Sequence, residues 1–317
     1  MLYWALRAAF ALSRHTPLMW RYRLVQRGCE AVYLAWPAKR RATRRTMAVV
    51  TGDRPDGRRA DAAARASWRN YGGYIVDFFN LPNVSPQELT RRTHVQGWEH
   101  LDRAVEAGKG VVFVSGHLGR WDYAPVVIAA RHPGRMNLVV EPFTSPKVDT
   151  MIQGQRAAQG SGIIPMTEVR RMVRTLRGGG ILAILVDRPA SDGDGVPVEF
   201  FGRPTTVPGG AATLAALTGA ALLPGFFLQR DDGGFDGRIL PPIEPPRSGD
   251  RNADVRWMTQ QALDTLEGAI RRAPGHWYMF RDMWAGSAPP RSGQAPTPER
   301  VTREREGQRA EGVETAR

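Results

Sequence analysis

His117 is the side chain in this sequence whose surroundings best suit chemistry. It lies in Lys109 to Arg131, KGVVFVSGHLGRWDYAPVVIAAR, with Asp122 five positions further on. A histidine takes and gives protons near neutral pH, and its two ring nitrogens have separate jobs. If Asp122 accepts the proton on one nitrogen, the other is left as a base for an alcohol attacking an activated acyl group. The amides around Gly119 and the start of the next helix are expected to meet the oxyanion of that attack, with Arg120 beside them. The same residues also allow a second reading, a buried histidine at a helix start with Asp122 as a first-turn acid.

The elements that must position this pair are legible from their periodicity. Val111 to Ser115 is a run of β-branched and aromatic residues, the pattern of a strand buried in a parallel sheet. Gly116 ends it, and Tyr123 to Ala130 is an apolar helical stretch. The histidine therefore sits at the carboxyl end of a strand, where open α/β sheets bind ligands. Further strands are expected at His94–Val95, Met136 to Val140, Gly162 to Pro165, Ile181 to Val186 and Ala221 to Gln229. Pro224 inside the last suggests an edge or a bulge, and Arg238 to Leu240 is a candidate to pair with it. Helices are expected at Ala62 to Asn80, Gly97 to Gly108, Lys147 to Gly160, Val169 to Leu176, Ala211 to Leu217 and Ala253 to Arg271. This alternation predicts an α/β fold, a mainly parallel central sheet flanked by helices.

Other polar groups fall at strand and helix ends. Met136 to Val140 runs into Glu141, and Ile181 to Val186 runs into Asp187 and Arg188. An acid and a base at the tip of a buried strand are either a structural ion pair or part of a site. Arg156 falls on the helix between them. These four residues are candidates for positioning the substrate or the oxyanion. Glu199 to Pro204 reads as a loop carrying Phe200 and Phe201 as exposed aromatics. Gly209 and Gly210 open a small-residue helix whose free amides would suit an anion, and whose alanines would equally suit close packing on the sheet. His276 to Trp284 is a dense aromatic cluster, with core packing as its default role.

GHLGRWD after a hydrophobic strand resembles the first block of the bacterial membrane acyltransferases that carry a His-x4-Asp/Glu pair. The nearest branches are the late lipid A acyltransferases and the phosphatidylinositol mannoside acyltransferases. Asp187 to Pro224, DRPASDGDGVPVEFFGRPTTVPGGAATLAALTGAALLP, is similar to that family's second block, and WYMFRDMW, Trp277 to Trp284, to its closing block. The likeness spans roughly Arg21 to Trp284. It implies transfer of an acyl group from acyl-CoA or acyl carrier protein to a hydroxyl of a glycolipid or lysolipid. His117 and Asp122 would be the catalytic pair, with no metal and no bound cofactor. It also implies that Trp121, Phe200, Phe201, Gly209 and Gly210 lie near the acyl or acceptor pocket, and that an acidic residue such as Asp187 assists the histidine or acceptor. Two departures lean towards the phosphatidylinositol mannoside branch: Glu141 stands where lipid A enzymes usually have arginine, and the acid is Asp122 rather than Glu.

Composition bounds the partners. The net charge is +13, and lysine occurs only at Lys39, Lys109 and Lys147, so arginine carries the excess. Such a surface suits phosphate groups, whether of anionic lipid, nucleic acid or substrate. A non-catalytic basic module binding membrane or nucleic acid is thus the rival reading, although no RNA-binding pattern interleaves aromatics with the basic residues. A hydrolase using the same dyad on water is a second rival. The single cysteine, Cys29, excludes an intramolecular disulfide. No run of eighteen uncharged apolar residues marks a membrane span. Leu2 to Leu12 reads as an interfacial helix or as a first core helix, and Pro37 to Arg45 as a headgroup-binding segment or a solvated helix face. The expected organisation is N-terminal helices at the membrane surface over residues 1–45, an acyltransferase domain over 46–285 and a disordered tail over 286–317. The expected place is the cytoplasmic face of the plasma (inner) membrane, held peripherally or monotopically.

Overall fold

The computed structural model describes residues 16–190, 195–230 and 232–285. The expectations for Leu2 to Leu12 and for the tail from residue 286 lie outside the described residues.

The described residues begin with three helices, α1 (Leu18–Ala35), α2 (Pro37–Thr51) and α3 (Arg58–Asn80). Pro37 takes the first position of α2, where its missing N–H costs nothing. Then come α4 (Pro86–Arg91), β1 (Thr93–Gln96), α5 (Trp98–Glu106), β2 (Val111–Ser115), α6 (Tyr123–Arg131), β3 (Met136–Val140), α7 (Pro146–Ala157), β4 (Gly162–Pro165), α8 (Val169–Arg177) and β5 (Ile181–Leu185). A hairpin follows, β6 (Val196–Phe200) and β7 (Arg203–Val207), and then come α9 (Gly210–Thr218), β8 (Ala221–Gln229), β9 (Phe235–Ile239) and α10 (Arg251–Arg272). Ser85 caps α4 by accepting from the Glu88 amide, and Asp250 caps α10 by accepting from Asn252 and Ala253.

Seven strands form one sheet in the order β1-β9-β8-β2-β5-β3-β4. Every neighbouring pair is parallel except β8 and β9. The α/β architecture with a mainly parallel sheet and helices on both faces is as the sequence predicts. Alternate side chains of β2 feed two cores, because successive residues of a strand point to opposite faces. Val112 and Val114 join Leu182, Leu222 and Phe226 in the core that also takes in α9 and α10. Val111 and Phe113 join Ile181, Leu223 and Phe227 in the core that takes in α5 and α6. β2 is thus covered on both sides, which is why its sequence is apolar throughout rather than alternating. The N-terminal helices share the first of these cores through Tyr33, Met47, Val50 and Trp68. α2 runs on through residue 45, where the sequence suggests a division.

Two local readings are corrected. β8 is not an edge strand, since it lies between β2 and β9. Pro224 is tolerated there because its carbonyl accepts from Leu240, just past the end of β9, so its missing N–H falls where that ladder stops. Glu199 to Pro204 is not a loop with exposed aromatics. It is a tight hairpin whose two turn residues, Phe201 and Gly202, both have positive φ, at 54° and 69°. Phe200 and Phe201 are 0 % and 7 % exposed and pack on Trp277 and Trp284. The Phe201 amide donates to Glu267 of α10, which secures a conformation that a bulky residue rarely adopts.

Candidate active site

The site is built by register. β2 and β5 pair in parallel with Ser115 opposite Leu185. His117 and Asp187 each follow two residues later, so the two side chains leave neighbouring strand tips together. The Nδ1 of His117 lies 2.7 Å from Asp187 Oδ1, and the His117 amide donates to Oδ2 at 2.8 Å. The Trp277 indole N–H also donates to Oδ2, at 2.8 Å. Gly116 leaves room for this, since a Cβ there would come within 2.8 Å of Leu266 and 3.1 Å of Asp187 Oδ2.

Asp187 is fully buried. Burial pushes its carboxyl up, but the His117 charge, its ring and amide N–H groups and the Trp277 indole outweigh this and hold it below the usual carboxylate range. The carboxylate acceptor on Nδ1 sets the tautomer: Nδ1 carries the proton, and Nε2 has no protein hydrogen-bond partner among the described residues. The His117 side chain is 16 % exposed, so the free nitrogen remains reachable.

Asp122 is held elsewhere. Arg156 of α7 grips it with Nε at 2.7 Å and Nη2 at 3.2 Å, and the Tyr74 hydroxyl of α3 donates to the same carboxylate. The hydrogen bond expected between His117 and Asp122 is thus made by Asp187. The physical reason is chain direction. The turn after His117 starts α6, and Asp122 at its start faces α3 and α7, whereas the parallel ladder carries Asp187 to the histidine.

Two of the turn's amides are used within the fold. Gly119 donates to the His276 carbonyl and Arg120 to the Phe227 carbonyl, each at 2.9 Å. This corrects their expected place at an oxyanion. Gly119 is needed for its conformation instead: φ is +63°, and a Cβ would meet the Phe227 carbonyl at 2.3 Å. The Arg120 guanidinium is 2 % exposed and committed to Asp77, the Tyr278 hydroxyl at 3.0 Å and Gln229 at 2.6 Å. It ties α3, the turn, β8 and the closing segment together rather than facing a substrate.

The remaining predicted residues divide. Trp121 stands against the histidine, ring centroids 5.3 Å apart, and stacks on Tyr74 at 4.0 Å. Glu141 and Arg188 pair with each other at the tips of β3 and β5, both exposed. Phe200 and Phe201 pack against Trp277, whose indole reaches Asp187. Gly209 caps α9, where a Cβ would meet Val196 at 2.4 Å, which supports the close-packing reading of this helix start. Among the described residues no three His, Cys, Asp or Glu side chains gather as a metal-holding group. Sequence reasoning missed Trp277 and Tyr74 as members of the site. Trp277 lies in the closing aromatic block, but nothing in its spacing singles out its indole from its neighbours.

Residues 1–285 match the family described as bacterial lipid A biosynthesis acyltransferase. The chain is similar to the phosphatidylinositol mannoside acyltransferase of Mycobacterium tuberculosis, 30% identical over 250 residues that cover 76% of each chain. It is similar also to that of Mycolicibacterium smegmatis, 29% identical over 262 residues, 81% of this chain and 83% of the other.

Proposed function

The chain belongs to the bacterial lipid A biosynthesis acyltransferase family, and from that premise we propose that it moves a fatty acyl group from an acyl thioester to a hydroxyl of a glycolipid, with His117 as general base. The carrier of the thioester is coenzyme A or acyl carrier protein. The relatives at about this level of identity are named for phosphatidylinositol mannosides, and Glu141 and Asp122 lean the same way, so a phosphatidylinositol mannoside is the acceptor we favour over a lysolipid. Family membership makes the chain an acyltransferase, which removes the non-catalytic reading.

The observation that carries the reading is the His117–Asp187 pair at the carboxyl edge of the parallel sheet, with Nε2 left free. The acceptor hydroxyl gives its proton to Nε2 as its oxygen attacks the thioester carbonyl. Asp187 holds the ring and balances the imidazolium charge. The tetrahedral intermediate then expels the thiolate, which takes the proton back from Nε2. Ester and free thiol leave, and His117 is restored. Asp122 serves by fixing Arg156, whose guanidinium lies over the Phe78 ring and shares the Asp122 carboxylate with the Tyr74 hydroxyl.

Membrane attachment is part of the proposal. No described helix is long and apolar enough to cross a membrane. On α1, Trp20 and Leu24 are 60 % and 73 % exposed, and Met19 and Leu34 are also exposed. Arg23 lies over the Trp20 ring and Lys39 over the Trp36 ring. Exposed aromatics paired with cations suit the headgroup region of an anionic, cytoplasmic-face membrane surface.

The test is transfer from palmitoyl-CoA to phosphatidylinositol mannoside by the full chain. Wild type should release thiol only when the acceptor is present, and His117→Ala should be folded and nearly inactive. Thiol release without acceptor would point to a hydrolase. Normal transfer by folded His117→Ala would overturn the assignment of the base.

A further inference from the structure

Trp277 is bound on three sides, to the tip of β5, to the turn after β2 and to α3. Its indole N–H donates to Asp187 Oδ2 at 2.8 Å. Its backbone forms a two-residue bridge with Leu118, in which Gly119 donates to His276 and Tyr278 donates to His117, each at 2.9 Å. Its own carbonyl accepts from Ser67 of α3 at 2.8 Å. The ring is fully buried, with Phe201 stacked at 6.1 Å and Phe200 edge-on at 5.8 Å. Backbone pairing alone would hold the segment. The indole N–H does something further: it takes one lone pair of the carboxylate that faces His117.

We propose that Trp277 is a positioning residue that sets the basicity of His117 through Asp187. This rests on the reading of His117 as the base, but not on the identity of the acceptor. The carboxylate has a fixed capacity for hydrogen bonds, and each donor on Oδ2 reduces the charge that Oδ1 offers to Nδ1. The indole thus tempers Asp187, keeping His117 from holding its proton too tightly. It also fixes the carboxylate plane, so that Oδ1 rather than Oδ2 meets the ring. An indole suits this place because it is a donor only and carries no charge of its own.

The surrounding charged groups do not supply the same control. From α3 come Tyr71 and Tyr74, and from the turn Asp122, which is neutralised by Arg156 of α7. The strand tips bring Glu141 and Arg188, paired with each other. The closing segment brings His276 and Tyr278, the latter pushed up to about 12 by burial, against the pull of Arg120. α10 contributes the apolar Leu266. Among the described residues only His117 and Trp277 hydrogen-bond to Asp187.

The experiment follows the titration of His117 by ¹⁵N NMR of histidine-labelled full-length protein, with His117 assigned from the His117→Ala spectrum. In Trp277→Phe the midpoint should move upward from that of the wild type, because Oδ1 then faces Nδ1 with more of the carboxylate charge. No substrate enters this measurement, so its outcome is separate from that of the acyl-transfer assay. An unchanged midpoint in folded Trp277→Phe overturns the proposal. Should that variant not fold, tryptophan-labelled wild type answers instead. One indole N–H must follow the His117 midpoint and lose that titration in His117→Ala; nine flat indole signals overturn the proposal equally.

Discussion

Asp187 grips His117 at two points, ring Nδ1 and backbone amide, across a separation of 70 residues. The two contacts use both carboxylate oxygens, so the ring cannot rotate without breaking a buried charge-assisted hydrogen bond. This makes Asp187, rather than Asp122, the residue from which the histidine takes its orientation.

The first prediction ranks the two carboxylates. Asp187→Asn should lower kcat for acyl transfer strongly, within the range of about 10²–10⁴ typical of general-base assistance. Asp122→Asn should act mainly on KM, because it loosens Arg156 and leaves the His117 ring held. Steady-state kinetics of the two variants with palmitoyl-CoA and phosphatidylinositol mannoside check this. A larger kcat loss in Asp122→Asn would return the dyad to residues 117 and 122.

A second prediction concerns acid stability. Asp187 is held below its unfolded value, so its contribution is full above an unfolded pKa of about 3.9 and is lost as pH falls through the lower folded value. The stability gap between wild type and Asp187→Asn should therefore narrow as pH falls below about 4, where the buried carboxylate takes up its proton. Urea midpoints of both proteins across that range measure the gap. One that stays as wide at the acid end would mean the carboxylate charge is not its source.

The third prediction tests the buried pair behind the turn. Arg120 and Asp77 side chains are 2 % and 6 % exposed. Asp77→Ala leaves the guanidinium buried without its counter-charge, and should destabilise the fold by about 3–5 kcal/mol. Asp77→Leu combined with Arg120→Met should recover much of that loss, since an apolar pair of similar volume avoids the desolvation penalty. If the double variant is no more stable than Asp77→Ala, the hydrogen bonds to Gln229 and Tyr278 matter more than the charge.

Membrane contact gives the fourth. Trp20→Ala with Leu24→Ala removes two exposed apolar side chains of α1. Burial of one such side chain is worth about 1.5–3 kcal/mol. Cosedimentation with phosphatidylglycerol vesicles should fall by about tenfold or more, since roughly 1.4 kcal/mol is a factor of ten. Wild-type binding should also weaken with added salt, as headgroup attraction is screened. Undiminished binding by the double variant would move the contact surface away from α1.

The sequence by itself determined the frame of the site. The strand before His117, the helix after it and the apolar strand that ends in Asp187 are all written in local periodicity and glycine breaks, which need no distant partner. So were the mainly parallel sheet and the helices on its two faces. What local pattern cannot carry is register between strands. Asp122 is near His117 in the chain, and Asp187 is far; only the pairing of Ser115 with Leu185 brings the distant carboxylate to the ring and leaves the near one to Arg156. The same limit explains Phe200 and Phe201. Their aromatic character fits a pocket rim or a core equally well, and burial was decided by the hairpin folding onto Trp277 and α10. Gly119 and Arg120 were visible as part of a motif, but which carbonyls take their amides, and which carboxylate takes the guanidinium, depends on β8, α3 and the closing segment arriving at one place.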